Sequence, residues 1–123
     1  MEVHFTRERI VKPTLAFESR EVGACVEFLG IVREDEGGRA LTGLSYEAYE
    51  VMARTEFARI HAELAKKFTI AAATVIHRIG WVPVGEASLF VRVQAKHRGA
   101  ALGYCGELID RMKQDVPIWK AAE

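Results

Sequence analysis

The sequence predicts an α+β fold: a mainly antiparallel sheet with helices packed on it, in the core order β-β-α-β-β-α. Three observations lead there. Segments rich in β-formers come in adjacent pairs. A longer segment with apolar residues at helical spacing follows each pair. The chain has 123 residues, 50% hydrophobic and 28% charged, which suits a single globular domain over residues 1–123.

The elements follow in order. A short N-terminal strand is expected, then a turn of helix near residues 13–19. Residues 22–33 (VGACVEFLGIVR) read as a strand, with Gly23 and Gly30 as bulges or points of close packing. Residues 34–39 (EDEGGR) mark an exposed connection, through their charges and paired glycines. Residues 41–49 hold Leu44, Tyr46 and Tyr49 and read as a second strand, antiparallel to the first. Residues 50–68 are helical, because Ala53, Phe57, Ile60 and Leu64 draw one apolar stripe. Lys66 and Lys67 suit the negative end of that helix. Residues 72–79 (AATVIHRI) read as a strand and residues 80–85 as a turn-bearing connection. Residues 86–95 alternate, with Ala87, Leu89, Val91 and Val93 on one face and Ser88, Phe90, Arg92 and Gln94 on the other. A last helix spans residues 98–114, with Ala101, Cys105, Leu108, Ile109 and Met112 as its stripe, and Pro117 stops it.

Composition narrows the function classes. Lysine plus arginine total 17 and aspartate plus glutamate total 17, so the net charge is zero. That argues against a nucleic-acid partner, as does the lack of aromatic pairs interleaved with basic residues on a strand. No apolar run approaches the ~20 residues of a membrane helix, and the N-terminus has no signal-peptide core. A cytoplasmic protein with no membrane contact is expected. Cys25 and Cys105 sit among apolar residues and read as buried thiols. There is no GxSxG, P-loop or HExxH. His4, His61, His77 and His97 show no ligand spacing, and His61 and His77 read as structural. No metal and no cofactor are expected.

Three places gather cationic groups. Arg33 ends a strand where the glycine-rich loop begins. Lys96-His97-Arg98 stands where a strand meets a helix N-terminus, whose free N–H groups suit an anion such as a phosphate. The tail sets Lys113 and Lys120 on either side of Pro117, beside Trp119. Each has an ordinary alternative: a solvated loop arginine, a surface histidine, a lysine that complements a helix C-terminus. Taken together, they suit an anionic substrate with proton transfer or amine chemistry.

The order of motifs resembles a known family. Val75-Ile76-His77-Arg78-Ile79-Gly80, then Pro83-Val84-Gly85-Glu86, then the strand leading into His97-Arg98, then Ile118-Trp119-Lys120 are similar to the large, catalytic subunit of molybdopterin synthase. Phe28-Leu29-Gly30-Ile31-Val32-Arg33 and Tyr46-Glu47-Ala48-Tyr49 with Met52 fit the same family upstream. The resemblance spans roughly residues 22–120 and implies an α/β hammerhead-type fold. It also implies sulfur transfer in molybdenum cofactor biosynthesis: cyclic pyranopterin monophosphate becomes molybdopterin. The sulfur would come from the thiocarboxylated Gly-Gly C-terminus of a small ubiquitin-like subunit. The large subunits would form a central homodimer, with a small subunit at each end. By the same resemblance, Lys113 and Lys120 are the catalytic lysines, and both also bind substrate. Arg33, His97 and Arg98 hold the substrate's phosphate and pterin, with Ile31 and Val32 adjoining. Trp119 would wall the pocket. The rival reading is a non-catalytic α+β domain that binds an anion through Arg33, His97 and Arg98. Such a module has no need of both lysines.

Overall fold

The computed structural model describes residues 1–13 and 19–122. Its strands are β1 (Glu2–Thr6), β2 (Ala24–Ile31), β3 (Asp35–Glu36), β4 (Arg39–Ala40) and β5 (Gly43–Ala48). Helix α1 (Glu50–Leu64) follows, then β6 (Ala72–Arg78), β7 (Gly80–Pro83) and β8 (Ala87–Ala95). Helix α2 (Arg98–Asp115) and β9 (Ile118–Ala122) complete the chain. The helical turn expected near residues 13–19 falls on residues 14–18, outside the described residues.

The strands form two main sheets. In the first the order is β1-β6-β8-β2, with β1 parallel to β6 and the other pairs antiparallel. In the second the order is β7-β5-β9, all antiparallel. β3 and β4 pair as a small hairpin turning at Gly37 and Gly38, whose φ angles are 62° and 80°. A two-residue turn with positive φ at both centres matches strand twist, and glycine adopts it without strain.

The helices cover one face of the first sheet. Ala53, Phe57, Ile60 and Leu64 of α1 are buried, as the stripe predicts. So are Ala101, Cys105, Leu108 and Met112 of α2, and they meet Val75, Leu89, Val91 and Val93 of the sheet. Each large apolar side chain buried this way contributes about 1.5–3 kcal/mol. Tyr104, absent from the expected stripe, is also fully buried. Its hydroxyl lies 2.6 Å from Nδ1 of His61, and burial pushes its pKa up to about 12.

Several expectations are corrected. The strands at residues 22–33 and 41–49 do not pair with each other. β2 pairs with β8, and β5 pairs with β7 and β9. β8 is central in its sheet, with β2 on one edge and β6 on the other, and it is buried on both faces. On the face that carries Ser88, Phe90, Arg92 and Gln94, Phe90 is fully buried and Arg92 is buried against Glu27. Residues 80–85 are not only a connection. Gly80 takes φ of 88°, the chain leaves the first sheet there, and β7 joins the second. Nor is the tail beyond Pro117 an end: it returns as β9 beside β5.

Candidate functional site

A cleft of about 700 Å³ opens where the two sheets and the end of α2 meet. Its floor is a row of cross-strand neighbours on the first sheet. His77 of β6 stands opposite Leu89 of β8, which stands opposite Gly30 of β2. Residues directly opposed in a ladder share a face, so all three turn toward the cleft. Gly30 adds no side chain, which leaves the floor open at β2.

The second sheet supplies the facing wall. Leu44 and Tyr46 alternate along β5, and Ile118 and Lys120 alternate along β9. Tyr46 is in register with Lys120, so period-two geometry puts the phenol and the amine side by side on one face. Trp119 then falls on the opposite face, which corrects the expectation that it walls this cleft. Its ring meets Tyr49 edge-on at 4.8 Å, next to Arg7 and Glu47 in a separate depression. Trp119 thus fixes β9 from behind while Lys120 faces the cleft.

Met112 and Lys113 enter from the last turn of α2. Met112 is buried in the core and Lys113 is exposed, so the amine leaves the helix where the packing ends. No ion pair holds Lys113 or Arg33 among the described residues. Arg33 reaches the cleft because Val32 is pinned. The Val32 N–H donates to the Glu86 carbonyl at 3.0 Å, and its carbonyl accepts from Gly85 N–H at 2.9 Å. A register shift between Gly30 and Ile31 precedes it and re-aims the chain. Ile31 is half exposed at the rim, while Val32 is buried in the small core beneath.

One chain therefore brings Ile31, Val32, Arg33, Lys113 and Lys120 together. It does not bring His97 and Arg98 to them. Both are exposed at the other end of α2, where His97 is the N-cap residue without a side-chain cap. Lys113 lies fifteen residues after Arg98 on the same helix, about 22 Å at 1.5 Å per residue. Sequence reasoning assigned Tyr46 to a strand and His77 to a structural role, and both line the cleft. Burial holds His77 below the usual histidine range, against the opposing pull of its hydrogen bond to the Arg78 backbone. Burial likewise pushes the Cys25 and Cys105 thiols up, away from reactive thiolates. Among the described residues, no three His, Cys, Asp or Glu side chains gather as a metal cluster. Nor is any helix there long and apolar enough to cross a membrane.

Fold and cleft together define a class: an α+β domain whose cleft gathers two lysines and an arginine, a set of side chains with the charge to suit an anion. The chain belongs to the MoaE protein family, whose model matches residues 5–115. It is 44% identical over 113 residues to the molybdopterin synthase catalytic subunit of Bacillus subtilis, covering 92% of this chain and 70% of that one. It is 44% identical over 102 residues to the catalytic subunit of Pyrococcus abyssi, covering 83% and 69%. The molybdopterin synthase structure from Staphylococcus aureus superimposes with a TM-score of 0.84 at 31% identity, covering 98% and 89%. A complex of subunits 1 and 2 of the Helicobacter pylori molybdopterin-converting factor shares the fold, with a TM-score of 0.76 at 23% identity, covering 98% and 83%. Its curated relatives are catalytic subunits of an enzyme of molybdenum cofactor biosynthesis, and the role of this chain lies in that biosynthesis.

Proposed function

We propose that the cleft transfers sulfur to cyclic pyranopterin monophosphate, making molybdopterin. The sulfur arrives as a thiocarboxylate on the Gly-Gly C-terminus of a small ubiquitin-like subunit. The observation that carries this reading is the convergence of Lys113 and Lys120 from different elements on one cleft that also holds Arg33. A module that only captured an anion would not need both amines. The two-subunit complex of the Helicobacter pylori relative supports the small partner.

The roles follow from charge and reach. Arg33 donates charge-assisted hydrogen bonds to the phosphate, and Ile31 and Val32 form the apolar margin beside it. Lys120 orients the thiocarboxylate, itself an anion. Lys113 takes up a proton from the reacting centre, or its neutral amine attacks the thiocarboxylate carbonyl, forming an amide to the small subunit while the C–S bond breaks and the sulfur leaves as hydrosulfide for the substrate; both routes require an amine able to lose its proton. His97 and Arg98 act from a second copy of the chain in a central homodimer. Their distance from Lys113 along α2 supports this division, since a second copy supplies what one helix holds apart. This assembly works in the cytoplasm.

Single-turnover conversion of the precursor, with thiocarboxylated small subunit supplied, tests the reading. Lys113→Ala should lower the rate by about 10²–10⁴-fold while leaving the fold and small-subunit binding intact. Lys113→Arg should not restore it, because guanidinium keeps its proton. Lys120→Ala should also slow turnover. Near-normal rates in Lys113→Ala would end the catalytic assignment in favour of a binding module.

A further inference from the structure

We propose that His77 is a substrate-binding and specificity residue of the cleft: its Nε2 accepts a hydrogen bond from an N–H donor on the ring system of the bound substrate. This rests on the sulfur-transfer reading of the same site and names a contact within it.

Five observations carry the inference. His77 is only 5% exposed, yet it lines the cleft floor. Nδ1 lies 2.8 Å from the Arg78 carbonyl oxygen. A carbonyl can only accept, so Nδ1 carries the hydrogen, and in the neutral ring Nε2 is left with its lone pair. Burial disfavours the charged imidazolium, in keeping with that form. Among the described residues, the one sealed side-chain nitrogen or oxygen without a hydrogen-bond partner is Arg78 Nε. His77 Nε2 makes no hydrogen bond there either, so it keeps access to open space, and the open space beside this ring is the cleft. Tyr46, which also lines the cleft, packs edge-on against the ring at 5.1 Å and 63°.

The chemistry of the cleft gives that lone pair a purpose. Arg33, Lys113 and Lys120 are donors when charged, and they answer a ligand's phosphate and thiocarboxylate. None of them can accept a hydrogen bond in that form. A reduced pterin also carries ring N–H and amino donors, and a neutral imidazole can receive one. A ligand without the donor would bury Nε2 unpaired, and that penalty is what makes such contacts selective. A histidine that merely filled the end of β6 would gain nothing from an acceptor aimed into the cleft.

The test uses the chain with its thiocarboxylated small subunit and compares His77→Phe with His77→Gln. Phenylalanine keeps a ring against Tyr46 and loses the acceptor; glutamine keeps an acceptor near the Nε2 position. His77→Phe should raise KM for the cyclic precursor by about tenfold or more, with small-subunit affinity unchanged. His77→Gln should stay within about threefold of the wild type. Nitrogen NMR of wild-type His77 gives a readout that does not depend on either variant folding. Its Nε2 resonance should move on adding precursor while Nδ1 stays protonated. A folded His77→Phe with unchanged KM, or an Nε2 resonance that precursor does not move, overturns the inference while leaving sulfur transfer standing. A wild type that neither binds nor converts the precursor overturns the reading of the site, and the inference with it.

Discussion

Glu27→Gln should destabilise the protein by about 2–3 kcal/mol at neutral pH, and the loss should vanish in acid. Glu27 on β2 is in register with Arg92 on β8. Arg92 Nε donates to Glu27 Oε2 at 2.6 Å, and Lys12 Nζ lies 2.7 Å from the other oxygen. The Arg92 side chain is 6% exposed and that of Glu27 is 23% exposed. Removing one partner of a fully buried pair costs about 3–5 kcal/mol, because the remaining charge is stranded. Here water reaches the carboxylate, and Arg92 keeps its bond to the Pro13 carbonyl, so about 2–3 kcal/mol is the reasoned figure. For a domain of this length that is about 8–12 °C in Tm, measured at fixed protein concentration. The hydrogen bond from Lys12, and then the contacts of Arg92, hold the Glu27 carboxyl below the usual range, against the effect of burial. A lowered folded pKa means the stabilisation is complete above the unfolded value, about 4.3 for glutamate. It is lost as pH falls through the folded value. The gap between wild type and Glu27→Gln should therefore close in acid. Glu27→Leu combined with Arg92→Met, which removes both charges, should recover part of the loss. Equal melting at pH 7, or a gap that persists unchanged into acid, would refute the reasoning.

Three further expectations rest on other residues. Arg33→Ala should weaken precursor binding by about 1.5–3 kcal/mol, the cost of a lost charged hydrogen bond, and unchanged affinity by calorimetry would move the phosphate elsewhere. Cys25→Ala with Cys105→Ala should keep sulfur transfer, since burial leaves both thiols unreactive; loss of product in the folded double variant would make one of them a sulfur carrier. At Gly103→Ala the new Cβ would lie 2.4 Å from Cε1 of Phe68, an overpacking cost of about 1–3 kcal/mol that outweighs the better helix propensity. In a Phe68→Ala background the same change should become stabilising in urea unfolding, and a loss there would mean the ring is not the obstacle.

The helices and the longer strands were legible because each advertises itself locally. The stripe Ala53, Phe57, Ile60 and Leu64 could only be one face of α1, and all four are buried. The partners of the strands were not legible. Pairings such as β5 with β9, which sets Glu47 opposite Trp119, join residues far apart in the chain, and no local pattern records them. β9 also escaped notice because Pro117 punctuates the chain just before a five-residue strand with little alternation. His77 shows a subtler failure. Its place in AATVIHRI puts it on the buried face with Ala73 and Val75, which supports a structural role. Two residues beyond Val75 that same face leaves the helices and floors the cleft. Periodicity assigns a face but cannot say what covers it at each step along a strand.

The cationic residues divide for a reason built into α2. Arg33 and Lys113 stand at the ends of elements, after β2 and in the last turn of α2, and Lys120 lies within a short strand that starts three residues after α2 ends. Ends converge where two sheets and a helix meet, so motifs distant in sequence share one cleft. His97 and Arg98 occupy an end too, but the opposite end of the same rigid rod. No side-chain rotation spans about 22 Å of helix. On the homodimer proposed above, a site that joins these residues to the lysines is composite, and a mixing experiment can read it. Chains carrying Arg98→Ala and chains carrying Lys113→Ala should each be inactive alone. Mixed and allowed to exchange, they should regain part of the activity, because one composite site in the mixed dimer has every residue intact. Failure to complement, with exchange demonstrated, would put Arg98 outside the site.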